Sequence, residues 1–195
     1  RGQSAPALGR SPGGDWISYA SLLTQEVHAY NFNTGDLVTL LSRTGEPGVW
    51  SPDGRSLLAT VVKVEDDQFA VHIWRNEVDT YRQVNLSGED ADVNDGLPDW
   101  SPSGDWIAFN RKIPREAMGK QVWLMRPDGS EQTPITDNPE IHFGRPVWSP
   151  DGRFLTFQGY ALAEPGPDPG IYLYDTESAP LTRLTATGIQ PAWLP

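Results

Sequence analysis

The sequence predicts an all-β fold, a β-propeller made of four-stranded antiparallel blades. Two observations carry this prediction. A turn of the form Trp-Ser-Pro-x-Gly, or a close variant, recurs along the 195 residues, and similar strand-like segments follow each copy. The turn glycines lie 40, 50 and 48 residues apart, a spacing typical of propeller blades: Gly14, Gly54, Gly104 and Gly152.

Each repeat reads as four strands, which we name A to D in chain order. Strand A ends in a tryptophan except in the first repeat, where Arg10 takes that place. Ser-Pro-x-Gly then forms a tight turn, because proline presets φ and glycine accepts a positive φ. Strand B carries apolar residues on both faces, as expected for a sheet packed on both sides. No segment has a helical apolar stripe, so we predict no helix.

The repeats also set the expected domain organisation. They cover approximately residues 6–47, 48–97, 98–145 and 146–190, and residues 191–195 (PAWLP) begin a further blade as one extra innermost strand. We expect residues 1–195 to be a single propeller unit within a larger propeller or assembly, because an open array leaves unpaired sheet faces. Closure as four blades, with the last strand supplementing the first blade, is the alternative.

Composition narrows the function classes. The net charge of −11 argues against nucleic-acid binding, which needs clustered basic residues. Cysteine is absent, so there is no disulfide framework and no thiolate metal site. No apolar run approaches ~18 residues, so we predict no transmembrane segment.

The repeat itself resembles a known family. WSPDGRFLTF, then IYLYDTESA, then LTRLT (from Trp148, Ile171 and Leu181) looks like the TolB-like propeller repeat, and also resembles propeller domains of prolyl-oligopeptidase-type peptidases. Ser103 departs from the pattern, where the repeat has aspartate. The resemblance implies a bacterial protein in the periplasm or outside the cell, with a protein partner.

Catalytic machinery is not evident in the sequence. The one Gly-x-Ser-x-Gly match, from Gly9 to Gly13, coincides with the first repeated turn and is not a strand-to-helix elbow, and there is no cysteine nucleophile, so we predict that this chain is not an enzyme. The aspartate of the turn is interpreted as a turn residue, and the repeated tryptophans as core between blades.

Strand direction alternates within a blade, so the B–C and D–A loops share one face, here called the loop face. These loops are the longer and more irregular ones, and irregular loops on a rigid scaffold usually carry binding residues. We therefore predict a non-catalytic binding propeller that engages a protein partner through the loop face. The predicted partner-binding residues are Glu89, Asp95, Asp99, Arg111, Lys112, Arg115, His142 and Phe143.

One loop raises a metal hypothesis, although no other cofactor is expected. Asp90, Asp92 and Asn94 match the first half of a calcium loop, but Asp95 stands where glycine is needed and Ser101 where glutamate is needed. A solvated acidic loop is the alternative to a Ca²⁺ site.

Other functions stay open at this point. The chain could be the gating propeller of a prolyl-oligopeptidase-type serine hydrolase, a polysaccharide lyase with metal-binding histidines, or a structural module of a larger extracellular assembly. The partner could then be a neighbouring blade or subunit, and a small-molecule ligand also stays open.

Overall fold

The computed structural model describes residues 8–21, 23–42, 44–65, 68–89, 92–114, 119–163 and 169–194. Within these residues the chain forms seventeen β-strands and no helix, as the sequence predicts. They therefore offer no helix that could span a bilayer. The strands form consecutive antiparallel meanders, and their arrangement is that of a β-propeller.

The first meander is a four-stranded sheet in the order β1-β2-β3-β4. Its strands are β1 (Leu8–Arg10), β2 (Trp16–Ser21), β3 (Glu26–Asn31) and β4 (Leu37–Leu41). All three pairings are antiparallel, so the chain reverses direction at each turn.

The second and third meanders share a hydrogen-bonded sheet. The second consists of β5 (Val49–Trp50), β6 (Ser56–Glu65), β7 (Gln68–Glu77) and β8 (Gln83–Asn85). The third consists of β9 (Asn94–Trp100), β10 (Ile107–Lys112), β11 (Gln121–Met125) and β12 (Thr133–Pro134). A short parallel contact between Val71 and Asn94 joins them.

The fourth meander has an interrupted strand A. β13 (Ile141–Phe143) and β14 (Val147–Trp148) both pair with β15 (Phe154–Ala161), which is followed by β16 (Gly170–Asp175) and β17 (Leu181–Thr185). The break falls at residues 144–146, which include Pro146. Proline cannot donate a hydrogen bond to the neighbouring strand, and the aligned Pro98 likewise lies where the pairing of β9 with β10 is irregular.

The hydrophobic core lies between successive sheets. Leu57 packs toward the first sheet, with Trp16 and Trp50, whereas its neighbour Leu58 packs toward the third, with Trp100. The third sheet repeats this pattern, since Ile107 faces the second sheet and Ala108 faces the fourth. Strand B is therefore buried on both faces, as the sequence predicts.

The Ser-Pro-x-Gly turns are built alike in all four repeats. Their glycines have φ between +71° and +78° and donate to the serine carbonyl at 2.9 Å. The serine Oγ accepts the amide proton that opens strand B, as in the 2.8 Å bond from Phe154 to Ser149. From the second repeat onward, each turn packs against the proline of the preceding turn, as Gly152 does against Pro102.

Residues 189–194 differ from the prediction of an extra strand. No strand follows β17 in the described residues, and a strand needs a hydrogen-bonded neighbour. The segment instead packs by its side chains: Trp193 stacks on Phe154 at 6.3 Å and donates from Nε1 to the carbonyl of Val147. Gln190 has φ +50°, close to the +52° of the aligned Leu97, so the segment has the backbone of a blade start.

Candidate functional site

A cavity of about 730 Å³ opens on the loop face. It lies between β9, the fourth sheet and the C-terminal segment. Leu97 and Asp99 line it from β9, ahead of the Trp100 that leads into the third Ser-Pro-x-Gly turn. Gln158 and Tyr160 line it from the far end of β15, the strand that leaves the fourth turn. These positions place it at the strand ends opposite the Ser-Pro-x-Gly turns. We name it the loop-face cavity.

A second cavity of about 260 Å³ lies beside it, lined by Glu46, Thr60 and Leu97 among others. Arg145 borders both cavities, and its side chain is exposed. Arg145 lies in the break between β13 and β14, so its backbone is not paired with β15.

His142 is held in one orientation at the edge of the loop-face cavity. β13 pairs it with Tyr160, and the two rings stack with centroids 5.0 Å apart. Its Nδ1 accepts a long hydrogen bond, 3.5 Å, from the amide of Lys120. Burial lowers the pKa of His142, and the charges of Lys120 and Lys112 lower it further. A neutral ring whose Nδ1 is an acceptor carries its proton on Nε2.

Asp99 is the carboxyl group of the loop-face cavity. Its Oδ2 accepts a 3.0 Å hydrogen bond from the amide of Trp148, which ties β9 to β14. Burial raises the pKa of Asp99, although that hydrogen bond and the charge of Arg145 oppose the rise. The carboxylate is therefore held in an environment that disfavours its charge.

Lys112 and Lys120 add positive charge on the same side of the fold. Lys120 is partly buried, and its Nζ lies over Gly96 of β9. Burial lowers the pKa of Lys120, a shift that the charges of Asp95 and Glu46 partly offset. Against the residues that the structure describes, neither lysine makes a side-chain ion pair.

Asp95 and Arg111, predicted to bind a partner, bind each other instead. Arg111 donates from Nε and Nη2 to the two carboxylate oxygens at 2.7 and 2.6 Å, and both residues are buried. The guanidinium also lies 4.9 Å from the ring centre of Trp123 and donates to Gln132. Their neighbouring positions on β9 and β10 pair their charges inside the fold, so partner binding by these two residues gains no support and stays a prediction.

Phe143 was also predicted to bind a partner; its side chain belongs to the core, and partner binding by Phe143 stays a prediction without support. The side chain is 1% exposed and meets Phe157 edge-on with ring centres 5.5 Å apart. Glu89 is exposed, and its carbonyl accepts a hydrogen bond from Lys63. Arg115 lies outside the described residues.

The calcium hypothesis gains no support and stays a prediction. Asp90 lies outside the described residues, and Asp92 is exposed. The Oδ1 of Asn94 is buried without a hydrogen-bond partner among the described residues. In that part of the chain, no three acidic or histidine side chains come together in a way that could hold a metal ion.

The structure thus brings two predicted residues, Asp99 and His142, to one cavity, and adds others that the sequence reading missed. Arg145 and Tyr160 are the main additions. The sequence did contain one signal for Arg145. Each of three repeats has a proline in strand A, and the residue before it is Leu97, Arg145 or Gln190. A position whose residue type differs between repeats is not fixed by the structure that the repeats share.

Two curated bacterial proteins are similar in sequence. The chain is 31% identical over 124 residues to the "Uncharacterized peptidase YuxL" of Bacillus subtilis, a match that covers 63% of this chain and 18% of that protein. It is 37% identical over 112 residues to the "Uncharacterized protein Atu1656" of Agrobacterium fabrum, covering 57% and 34%. The matches thus span 34% or less of the length of these relatives. No protein-family model matches.

Solved structures share the fold. A structure described as TolB from Agrobacterium tumefaciens matches with TM-score 0.59 and 21% identity, covering 92% of this chain and 80% of that one. An oligogalacturonate lyase in complex with manganese matches with TM-score 0.68 and 18% identity, covering 94% and 54%. A prolyl endopeptidase matches with TM-score 0.68 and 12% identity, covering 93% of this chain and 28% of that one. The chain therefore has a β-propeller fold similar to TolB and to peptidase propeller domains.

Proposed function

We propose that this chain is a non-catalytic part of a larger propeller protein, and that it binds a polypeptide partner in the loop-face cavity. The observation that carries the proposal is the cavity of about 730 Å³, a size typical of ligand sites. His142, Arg145 and Tyr160 offer it polar groups, and Leu97 and Val147 offer it apolar surface.

Similarity supports a polypeptide as the partner class. The fold is shared with TolB and with a prolyl endopeptidase, and the Bacillus relative is named a peptidase. By the same resemblance we propose that the protein works in the periplasm or outside the cell.

A steric block of the cavity tests the proposal. Ala192 is exposed and lines the cavity, so Ala192→Phe should fill the space without removing core contacts. The full chain, used to select from a random pentapeptide phage library, should enrich peptides whose binding falls about ten-fold or more in the variant. Binding is measured by fluorescence polarisation with the labelled synthetic peptides.

Asp79→Phe is the matched control, because Asp79 is exposed in the C–D turn on the opposite face. It should leave the Kd within about two-fold. Failure to enrich any peptide, or peptides that bind Ala192→Phe as tightly as the unaltered chain, would contradict the proposal.

The peptidase relative favours a second candidate, the propeller domain of a serine hydrolase. In that case the polypeptide made from the complete reading frame should react with a fluorophosphonate probe, whereas the present chain should not. Probe labelling is read by gel fluorescence. An unlabelled complete polypeptide would remove this candidate and leave the binding function intact.

A further inference from the structure

One positive side chain, that of Arg145, lines the loop-face cavity, and Lys112 and Lys120 lie close enough to act electrostatically on its His142. Among the described residues, Arg145, Lys120 and Lys112 form no side-chain ion pair, whereas Arg75, Arg126 and Arg153 on the turn side each pair with a glutamate or aspartate. Long basic side chains usually find a carboxylate when one is near, so unpaired ones at a cavity point to a missing anion.

Three basic residues lie in this region: Arg145, Lys112 and Lys120. Asp99 interacts electrostatically with Arg145, and Glu46 and Asp95 interact with Lys120. Arg111 already holds both carboxylate oxygens of Asp95. These positive side chains belong to a chain whose net charge is −11.

His142 adds a directional hydrogen-bond donor to these positive side chains. Its Nδ1 accepts from the Lys120 amide and its ring stacks on Tyr160, which together fix the ring plane. The proton is then on Nε2, for which the described residues provide no hydrogen-bond partner. A fixed neutral N–H and an unpaired guanidinium that line the same cavity can each donate to one carboxylate oxygen.

Resting on the proposed polypeptide-binding function, we propose that the loop-face cavity binds a single carboxylate group of a peptide. Arg145 and the Nε2–H of His142 contact the carboxylate, and Lys112 and Lys120 supply longer-range attraction. Leu97 and Val147 receive the adjoining apolar side chain. The carboxylate is either the C-terminus of the peptide or an acidic side chain.

Three pools of N-terminally labelled pentapeptides separate these sources. The first has free C-termini, the second amidated C-termini with a central glutamate, and the third amidated C-termini and no acidic residue. At low salt the full chain should bind the first or second pool about ten-fold or more tightly than the third, as measured by polarisation. Whichever acidic pool binds better identifies the source.

Arg145→Gln should weaken binding of the acidic pool about ten-fold and leave the neutral pool unchanged. Lys120→Gln should weaken it less, because it acts at longer range. Arg126→Gln is the matched control on the turn face, where Arg126 stacks over Trp106, and should have less than about a two-fold effect. Thermal melts establish that each variant is folded.

The outcomes separate the two proposals. If the neutral pool binds as well as the acidic pools and Ala192→Phe still blocks it, the carboxylate site is wrong and polypeptide binding stands. If no pool binds, both are wrong. If trigalacturonate binds and no peptide pool does, the ligand is a sugar acid and the peptide assignment is overturned.

Discussion

Asp99 is a carboxyl group that folding places where its charge is costly. Burial raises its pKa above the ordinary 3.8, so the folded state binds the proton more tightly than the unfolded state. Stability therefore falls as the pH rises from 3.8 through the folded pKa, and the full penalty is present above the folded pKa. A residue kept at such a cost beside a cavity is a candidate for function.

Asp99→Asn should make the protein more stable at pH 7, because the amide oxygen can still accept from Trp148 while the buried charge is removed. The difference should shrink as the pH falls toward 3.8, where the unaltered carboxyl group is protonated. Urea unfolding followed by tryptophan fluorescence at pH 4, 5, 6 and 7 measures it.

Asp53→Asn is the control with the opposite sign. The hydroxyl of Ser51 and the amide of Arg55 donate to the Asp53 carboxylate and lower its pKa. The stability that this carboxylate contributes is present above pH 3.8 and is lost as the pH falls through the lowered folded pKa. Asp53→Asn should therefore be less stable at pH 7. Destabilisation by Asp99→Asn at pH 7 would contradict our description of Asp99.

Charge in the sequence did not reveal which charged residues are available to a partner. Asp95 and Asp99 lie on the same strand, yet Asp95 is paired with Arg111 inside the fold, whereas Asp99 lines a cavity. The difference depends on the register of β9 against β10, including its irregularity between Ala108 and Asn110. Register between strands that are separated by a turn cannot be read from charge patterns alone.

At the scale of the element, the Ser-Pro-x-Gly turn was predictable in detail. Its chemistry is local: the proline, the positive φ of the glycine and the serine hydroxyl act within six residues, as from Ser149 to Phe154. The innermost strand of the fourth sheet was less predictable. Ile141–Phe143 forms a strand because Gly159, Tyr160 and Ala161 offer it a hydrogen-bonding partner, and that partner is distant in sequence.

The turn glycine gives a direct test of this local account. Gly152 has φ +74°, and a Cβ there would meet only ordinary contact with Pro102 at 3.5 Å. Gly152→Ala should therefore cost about 1–2 kcal/mol of unfolding free energy through backbone strain alone.

Gly13→Ala is the control for this prediction, because Gly13 lies in the equivalent turn of the first repeat without a positive φ. Urea unfolding should show a much smaller change for it. Equal effects of the two substitutions would show that the positive φ is not what the motif requires.

For the whole molecule, the repeats predicted the propeller because each strand B must be covered on both faces. The three clusters between sheets cover both faces of β6 and β10 and one face each of β2 and β15, and each cluster contains a repeat tryptophan: Trp50, Trp100 and Trp148. The sequence predicted on which face of the propeller a binding site lies, but it did not predict the cavity itself. Its floor combines β9, the fourth sheet and residues 190–192, which are up to 95 residues apart in sequence, so only the packing of successive sheets brings them together.

The central claim is that function lies at the loop-face cavity and the repeated turns are structural. Amide chemical-shift mapping of the ¹⁵N-labelled chain, titrated with the acidic pentapeptide pools, tests it most directly. We expect the perturbed amides to cluster at residues 97–99, 142–147, 158–160 and 190–192, while the four Ser-Pro-x-Gly turns stay unchanged. Perturbations confined to those turns, or none at a saturating peptide concentration, would contradict the claim.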